Sequence, residues 1–390
     1  KIAILGSTGS IGKSLIKILK NDKKKIEIVL LSANKNLNEL IKQVNYFEVK
    51  NLIISDQKAY HKAQIVFRKK KIKIFNNFDN LKFIFKNKKI DYVMSSISGL
   101  DGLSPTINII KFSKTIAIAN KESIICAWNL INKELKKNKT EFIPVDSEHF
   151  SIWSVINNHD RSNIEKIILT ASGGPFLNKK VKKNVSAREA INHPNWKMGK
   201  KISVDSATLM NKIFEIIEAK KIFDIELSKF EVLIHPKSYI HAIVKFKSGL
   251  IKIIAHETNM KIPISNSIYL GHRNHNFIKS KKVDINILNS LNLQQVNNKK
   301  FPVIRILKRL NKKNSLFDTV LVSINDELVN LFLKNKINFF DISSKIWFLI
   351  NSTFFSKFKR QKPKNLAQIE KLNEFVRLKT RSLSVISKKK

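Results

Sequence analysis

Four apolar residues, Ile2-Ala3-Ile4-Leu5, run into Gly6-Ser7-Thr8-Gly9-Ser10-Ile11-Gly12 and then into a helical pattern at Leu15, Ile16, Ile18 and Leu19. A buried strand, a glycine turn and a helix in that order open a βαβ unit, which leaves few folds available. The glycines allow a tight turn and close approach of a pyrophosphate, which rests on the helix N-terminus. The spacing is GxxGxxG rather than GxGxxG, so this is a variant of the dinucleotide loop; a plain tight turn explains the glycines but not their setting. A second strand pattern, Ile26 to Leu31, ends at Ser32-Ala33-Asn34-Lys35-Asn36. An acid there would bind the adenine ribose diol; none is present, and Lys35 can meet a 2′-phosphate, which favours NADP over NAD. Strand patterns at Leu52 to Ser55, Ile90 to Ser96 and Thr115 to Ala119, with helical segments between, extend this into a doubly wound α/β domain.

Two polar clusters follow strand patterns: Asn120-Lys121-Glu122-Ser123 after Ala119, and Asp146-Ser147-Glu148-His149 after Phe142 to Val145. Ligand groups in open α/β sheets gather at the carboxyl ends of strands. On an extended backbone Asp146 and Glu148 point the same way. With Glu215 they make a three-carboxylate set suited to Mg²⁺ or Mn²⁺, with Co²⁺ a third candidate. The same four residues equally read as a helix N-terminus, with Asp or Ser as cap and acids in the first turn. The strand Lys166 to Thr170 runs into Ala171-Ser172-Gly173-Gly174-Pro175-Phe176, which reads either as an anion cradle of hydroxyl and bare N–H groups or as an ordinary turn.

From His193 to Glu215 a loop and a helix adjoin. Pro194 blocks a helix at its own position, and the loop His193-Pro194-Asn195-Trp196-Lys197-Met198-Gly199 has the make-up of a mobile cover. The helix after it is expected to be capped by Asp205 or Ser206, with Asn211, Lys212 and Glu215 on one face. Taken alone, it is better explained as an ordinary capped helix with a surface Lys-Glu pair; the loop and the two polar clusters reverse that preference. Val232 to Ile234 precedes His235-Pro236-Lys237-Ser238. Ile240 to Phe246 and Leu250 to Ala255 read as alternating strands joined at Lys247-Ser248-Gly249, with one buried face and one exposed or dimer-forming. His241 receives no chemistry. From Gly271 to about Asn298 the chain is polar and irregular; beyond it lie helical patterns at Val303 to Leu310, Leu316 to Leu333, Asp341 to Ile350 and Leu366 to Ile386. The expected organisation is therefore an α/β chain of four parts. Residues 1–145 form a Rossmann-like NADPH domain and 146–270 a central α+β catalytic, metal and dimerisation domain with its flexible loop at 193–199. A connecting arm, 271–298, leads to a helical bundle at 299–390.

The 390 residues carry a net charge of +43, which by itself suggests nucleic acid or an anionic membrane. The basic clusters are spread along the chain: Lys23 to Lys25, Arg68 to Lys71, Lys136-Lys137, Lys179-Lys180 and Lys388 to Lys390. With heavy use of Lys, Asn and Ile and only 10 glycines, this pattern matches compositional drift in an AT-rich genome, as in reduced bacterial endosymbionts. No nucleic-acid or membrane partner is expected. Cys126 is the single cysteine, the first residues enter a strand directly, and no apolar run approaches the ~20 residues of a membrane span. A reducing, cytoplasmic setting is expected.

The clusters together resemble the 1-deoxy-D-xylulose 5-phosphate reductoisomerase family of non-mevalonate isoprenoid synthesis. The matching stretches are GSTGSIG at 6–12, ANKES at 119–123, VDSEHFSIW at 145–153, ASGGPF at 171–176, HPNWKMG at 193–199, SVDSATLMNK at 203–212 and HPKSYIHA at 235–242, in the family's order. The bundle matches weakly, mainly around Asn325-Asp326-Glu327-Leu328. The resemblance implies a homodimer that rearranges 1-deoxy-D-xylulose 5-phosphate to a branched aldehyde and reduces it with NADPH to 2-C-methyl-D-erythritol 4-phosphate. It implies that Asp146, Glu148 and Glu215 ligate the metal. Ser172, Ser206, Asn211 and Lys212, with His193 nearby, hold the substrate phosphate, and Lys121 and Ser147, with the metal ligands Glu148 and Glu215, meet the reacting part. Gly6, Thr8, Gly9, Ser10, Ile11, Asn34, Lys35, Asn36, Asn120, Glu122 and Gly199 fall on NADPH contacts, and Trp196 and Met198 on the flap over the substrate. Asn34 stands where glycine is common, and Ile213-Phe214 replaces a smaller pair.

Two other readings carry different tests. Another two-domain NADPH enzyme, such as a semialdehyde or homoserine dehydrogenase, would turn over without metal. A basic RNA- or membrane-binding protein would bind polyanions in a steeply salt-dependent way and oxidise no NADPH.

Overall fold

The structure is a computed structural model and describes residues 1–156, 160–179, 184–269, 284–311 and 313–385. The first part of the expected connecting arm (271–283), Lys180, Ile386 and Lys388 to Lys390 lie outside those residues. The chain divides into two compact units: Lys1–Ser123, Leu130–Phe150 and Met260–Lys281 form one, and Ile124–Asn129, Ser151–Asn259 and Lys282–Lys390 the other.

The first unit is built on a seven-stranded sheet. Its strands are β1 (Ile2–Leu5), β2 (Ile28–Ala33), β3 (Asn51–Ile54), β4 (Lys73–Phe75), β5 (Ile90–Ser95), β6 (Ser113–Ile118) and β7 (Glu141–Pro144). They lie in the order β4-β3-β2-β1-β5-β6-β7, and every pair is parallel. The order reverses between β1 and β5, which is where the glycine loop leaves β1; doubly wound sheets bind ligands at that point. All four residues of β1 are buried, as a central strand covered on both faces requires. Helix Ser10–Leu19 buries Leu15, Ile16, Ile18 and Leu19 against the sheet. Gly12 makes that packing feasible: a Cβ there would lie 2.5 Å from the Gly6 carbonyl oxygen and from the Ser7 Cα. Pro144, which has no N–H, sits on the edge strand β7, where the lost ladder bond costs little. The short, half-exposed edge strand β4 was not read from the sequence, because three residues give no period to follow. Helix Lys261–Tyr269 also belongs to this unit; Tyr269 Oη donates to Asp22 Oδ2 at 2.7 Å, and Tyr92 Oη meets Ser267 Oγ at 2.7 Å.

The second unit holds a mixed sheet, β11-β10-β8-β9-β12, of β8 (Ile164–Ala171), β9 (Phe230–Ile234), β10 (Ile240–Phe246), β11 (Ile251–Ala255) and the two-residue β12 (Gln294–Gln295). The hairpin β10–β11 turns at Gly249, whose φ of +86° suits glycine. The expected alternation holds for β11 only. β10 lies between β8 and β11 and is buried at six of its seven positions, so both of its faces are covered.

The expected single site helix is two helices. A first site helix, Lys200–Thr208, has Gly199 at its N-cap, and a second, Met210–Phe223, follows after Leu209, whose φ is +69°. Asp205 and Ser206 therefore lie in the last turn of the first helix and cap nothing; Asp205 is spent on ion pairing instead. The C-terminal helices Phe317–Leu333, Phe339–Ile350 and Leu366–Val385 follow the apolar pattern closely. The stretch around Val303 is a 3₁₀ segment, Pro302–Arg309, which its leading proline starts. No helix of the described residues is long and apolar enough to cross a membrane.

Candidate active site

In the first unit the glycine loop is pinned from below and open above. Ser32 Oγ accepts from the Gly6 N–H at 2.9 Å, and Gly6 has a φ of +80°. A Cβ on Gly6 would stand 2.9 Å from the Ser96 carbonyl oxygen, so only glycine brings β1 and β5 this close at the loop. Gly9 and Ser10 are exposed, and Thr8 and Ile11 are half-buried at the start of a helix with no acidic residue in its first turn. That helix end can meet a phosphate group. Asn34, Lys35 and Asn36 are exposed at the end of β2; Asn36 also caps the next helix by accepting from Glu39 N–H at 3.2 Å. The Asn120 side chain is committed to the fold. Its Oδ1 accepts from Ser123 N–H at 2.9 Å, and its Nδ2 donates to the carbonyls of Ile97 at 2.5 Å and Gly99 at 2.7 Å. A cofactor contact at Asn120 falls to its main chain. Glu122 is half-buried one turn-position beyond.

At the ends of β6 and β7 the unit brings Lys121, Asp146, Ser147 and Glu148 together. Lys121 Nζ lies 3.2 Å from Asp146 Oδ2, and Lys121 is 8% exposed. Helix Ser147–Ile156 begins one residue after Asp146. Asp146 Oδ1 accepts from Glu148 N–H at 3.2 Å, so the helix-cap reading is correct in geometry and the extended-strand argument for the two acids is not. The cap nonetheless leaves a carboxylate oxygen of each acid within 4.8 Å of the other. Ser147 Oγ donates to Glu148 Oε2 at 2.6 Å. His149, buried and given no separate part by the sequence, places Nδ1 3.0 Å from Asp146 Oδ1; its position three after the acid on a helix was the available signal.

In the second unit Ser172 and His193 meet, with Ser172 Oγ 2.8 Å from His193 Nε2. The imidazole tautomer follows from its other nitrogen. Nδ1 accepts from the N–H groups of Asn195 at 3.1 Å and Trp196 at 3.0 Å, so the proton is on Nε2 and is donated to Ser172. Burial pushes the His193 pKa down to about 4, which keeps the ring neutral near pH 7. Ser172 Oγ also accepts from Gly174 N–H at 3.0 Å. A hydroxyl that accepts twice has its own hydrogen left to donate, and an anion is the natural acceptor.

Gly174, with a φ of +64°, rests on the first site helix: a Cβ there would come 2.9 Å from Ala207 Cα and 3.0 Å from the Ser206 carbonyl oxygen. Ser206 is half-exposed among buried neighbours. On the second site helix, Asn211 Nδ2 donates to Glu215 Oε1, and Lys212 Nζ pairs with Glu215 Oε2, both charges being buried. That one-face cluster is as the helical spacing predicts.

The loop from Asn192 to Gly199 has no regular structure, as Pro194 requires. Its first half is pinned: Asn195 Nδ2 donates to the Pro236 carbonyl at 2.6 Å and to Ser238 Oγ at 2.9 Å. Trp196 and Met198 are half-buried, and Lys197 and Gly199 exposed. Trp196 meets His241 edge-on with ring centroids 6.1 Å apart, and His241 stacks on His256 at 3.7 Å. Sequence reasoning gave neither histidine a part, because only the hairpin brings positions 15 apart face to face. Cys126 is buried, and burial raises its thiol pKa well above the ordinary range, so it is no nucleophile for an acylating mechanism.

Among the described residues, Asp146, Glu148 and His149 offer atoms to a cation in the first unit, and the second site helix carries the buried carboxylates Glu215 and Glu218. The exposed loop and helix start after β1 can take a dinucleotide.

Comparison with known proteins agrees with this chemistry. Residues 2–128 match the family model for 1-deoxy-D-xylulose 5-phosphate reductoisomerase, 142–223 the model for a C-terminal domain of that enzyme, and 256–379 a further DXP reductoisomerase C-terminal domain. A 1-deoxy-D-xylulose 5-phosphate reductoisomerase of Pelagibacter ubique is 58% identical over 388 residues, covering 99% of this chain and 100% of that one. The reductoisomerase of Clostridium tetani is 36% identical, covering 97% and 99%. The solved structure of the 1-deoxy-D-xylulose 5-phosphate reductoisomerase from Zymomonas mobilis in complex with NADPH superposes with a TM-score of 0.86 at 28% identity, over 98% of each chain. A DOX-P reductoisomerase in complex with NADPH, fosmidomycin and magnesium gives 0.88 at 30% identity, over 99% and 97%. The chain belongs to the 1-deoxy-D-xylulose 5-phosphate reductoisomerase family.

Proposed function

We propose that this chain converts 1-deoxy-D-xylulose 5-phosphate to 2-C-methyl-D-erythritol 4-phosphate, using NADPH and a divalent cation, Mg²⁺ or Mn²⁺. The observation that carries the reading is the Ser172 hydroxyl. Two donors orient it, His193 and Gly174, which leaves its hydrogen available to an anion, and Gly174 rests on the helix end bearing Ser206. A phosphate held there is remote from the bond changes, so its binding energy can close the loop 193–199.

Both cofactors fit the residues present. Three carboxylates, Asp146, Glu148 and Glu215, suit a hard divalent ion. The glycine loop at the switch point, with a helix start free of acids and Lys35 after β2, suits a dinucleotide bearing a 2′-phosphate. When bound, the cation supplies Lewis acidity toward a ketone and a neighbouring hydroxyl, and the nicotinamide supplies hydride. The residues of the chain do the rest. Lys121 places positive charge beside Asp146, where an oxyanion develops. Ser147, oriented by Glu148, contacts the reacting carbons, and Asn211 and Lys212 hold Glu215 while facing the phosphate. Trp196 and Met198 exclude water over the substrate. Asn34, Asn36, Glu122 and Gly199 line the cofactor.

A homodimer accords with β11, an outer strand whose Ile251 and Ile253 are each 54% exposed. A cytoplasmic setting accords with the lone buried thiol. The test is NADPH oxidation with the pentulose phosphate. Turnover should need Mg²⁺ or Mn²⁺ and should prefer NADPH strongly over NADH. Full activity after exhaustive chelation would sink the metal assignment, and equal kcat/KM for the two nucleotides would remove Lys35 from the cofactor site.

A further inference from the structure

We infer that Asp205 and Asn325 form a clamp that positions the phosphate-binding residues from outside the site; this rests on the assignment of Ser206, Asn211 and Lys212 to the substrate phosphate. Asn325 is fully buried in helix Phe317–Leu333, and its Nδ2 donates to Asp205 Oδ1 at 2.8 Å. Asp205, 1% exposed, is the residue before Ser206. Its Oδ2 lies 3.0 Å from Lys201 Nζ, one turn back on the first site helix. Lys201 Nζ in turn lies 3.1 Å from Asp326 Oδ1, so two ties run from this helix to the helix of Asn325. A third helix braces them. Arg381 Nε lies 2.8 Å from Glu327 Oε1, and Arg377 lies 3.4 Å from Glu327 and 3.6 Å from Asp326.

A buried carboxylate is a poor way to stabilise a fold, since well-packed apolar groups do as well or better; what it adds is a penalty on departing from the arrangement that supplies its donors. Here that arrangement fixes the rotation of the first site helix about its own axis. Two parts of the phosphate site depend on that rotation. The Ser172 turn rests through Gly174 on Ser206 and Ala207. The second site helix begins from Leu209, held at φ +69° by hydrogen bonds from Leu209 N to the Ser206 carbonyl and from Met210 N to Thr208 Oγ1. Ser172, Ser206 and the Asn211–Lys212 pair thus take their relative placement from one helix end. Asn325 and Asp205 are positioning residues; neither is assigned to touch substrate.

Asn325→Leu keeps the volume and removes the donor. Its KM for the pentulose phosphate should rise about tenfold, within the hundredfold that an ångström of misplacement costs, while KM for NADPH stays at the parent value. The paired exchange Asn325→Asp with Asp205→Asn restores an amide–carboxylate hydrogen bond in reverse and should recover much of the loss. A cooperatively melting Asn325→Leu with unchanged substrate KM, or a paired exchange no better than its single changes, overturns the clamp. Should Asn325→Leu not fold, Lys201→Met cuts the second tie at a side chain 31% exposed, and the same split between the two KM values is required of it. Should the unaltered protein show no turnover at all, the functional reading falls by itself. The clamp is then decided by calorimetry with inorganic phosphate, where it requires weaker binding to the variant and is overturned by equal binding.

Discussion

His193 has two jobs that protonation sets against each other. As a neutral ring it accepts two main-chain N–H groups at the start of the loop and donates to Ser172; a charged ring cannot accept at Nδ1. Its folded pKa of about 4 lies below the ordinary unfolded value near 6.5. The unfolded chain therefore binds more protons between those values. The stability from this residue is complete above pH 6.5 and is lost as pH falls toward 4, by at most about 3 kcal/mol. Melting temperature should drop across that window, and His193→Gln should flatten this part of the profile; an unchanged profile would show that His193 is not buried neutral. Lys212→Ala tests the phosphate contact. Substrate KM should rise roughly tenfold to a hundredfold, the range of a charge-assisted hydrogen bond, and the melt should shift down because Glu215 loses its buried partner. A normal KM would place the phosphate elsewhere. The face shared by Asn211, Lys212 and Glu215 was legible because helical spacing alone creates it. The Ser172–His193 contact was not, because the two lie 21 positions apart and no period connects them.

At the scale of elements, the first sheet was legible nearly strand by strand, since parallel strands covered on both faces leave continuous apolar runs. What escaped were junctions. One is the break at Leu209, where a leucine takes a left-handed conformation at a cost of roughly 1–2 kcal/mol. Sequence offers no glycine to mark it, and strain retained by a leucine points to a geometry that the surroundings enforce. The other is the Ser-Gly-Gly turn, legible as a turn but not as a seat on a helix. Gly174→Ala probes that seat. Its Cβ meets main chain rather than a yielding side chain, so the turn and the first site helix must separate. A loss of about 1–3 kcal/mol of stability together with a raised substrate KM is expected. Loss of stability with normal KM would make the turn a scaffold only.

For the whole molecule, a net charge of +43 was legible as diffuse, and it works against self-association unless a surface compensates. β11 offers such a surface in Ile251 and Ile253, with Leu250 just before it. If the proposed homodimer forms through this strand, Ile253→Glu should convert it to monomer at the same concentration; an unaltered sedimentation profile would move the interface away from β11. The buried Cys126 has a practical consequence of another kind. Thiol reagents react with accessible thiolates, and the one native thiol here is neither accessible nor readily ionised. A cysteine introduced in place of exposed Lys197 would therefore be the single labelling position on the folded protein, and a fluorophore there would test the proposed closure of the loop over the substrate in real time without any native residue having to be removed first.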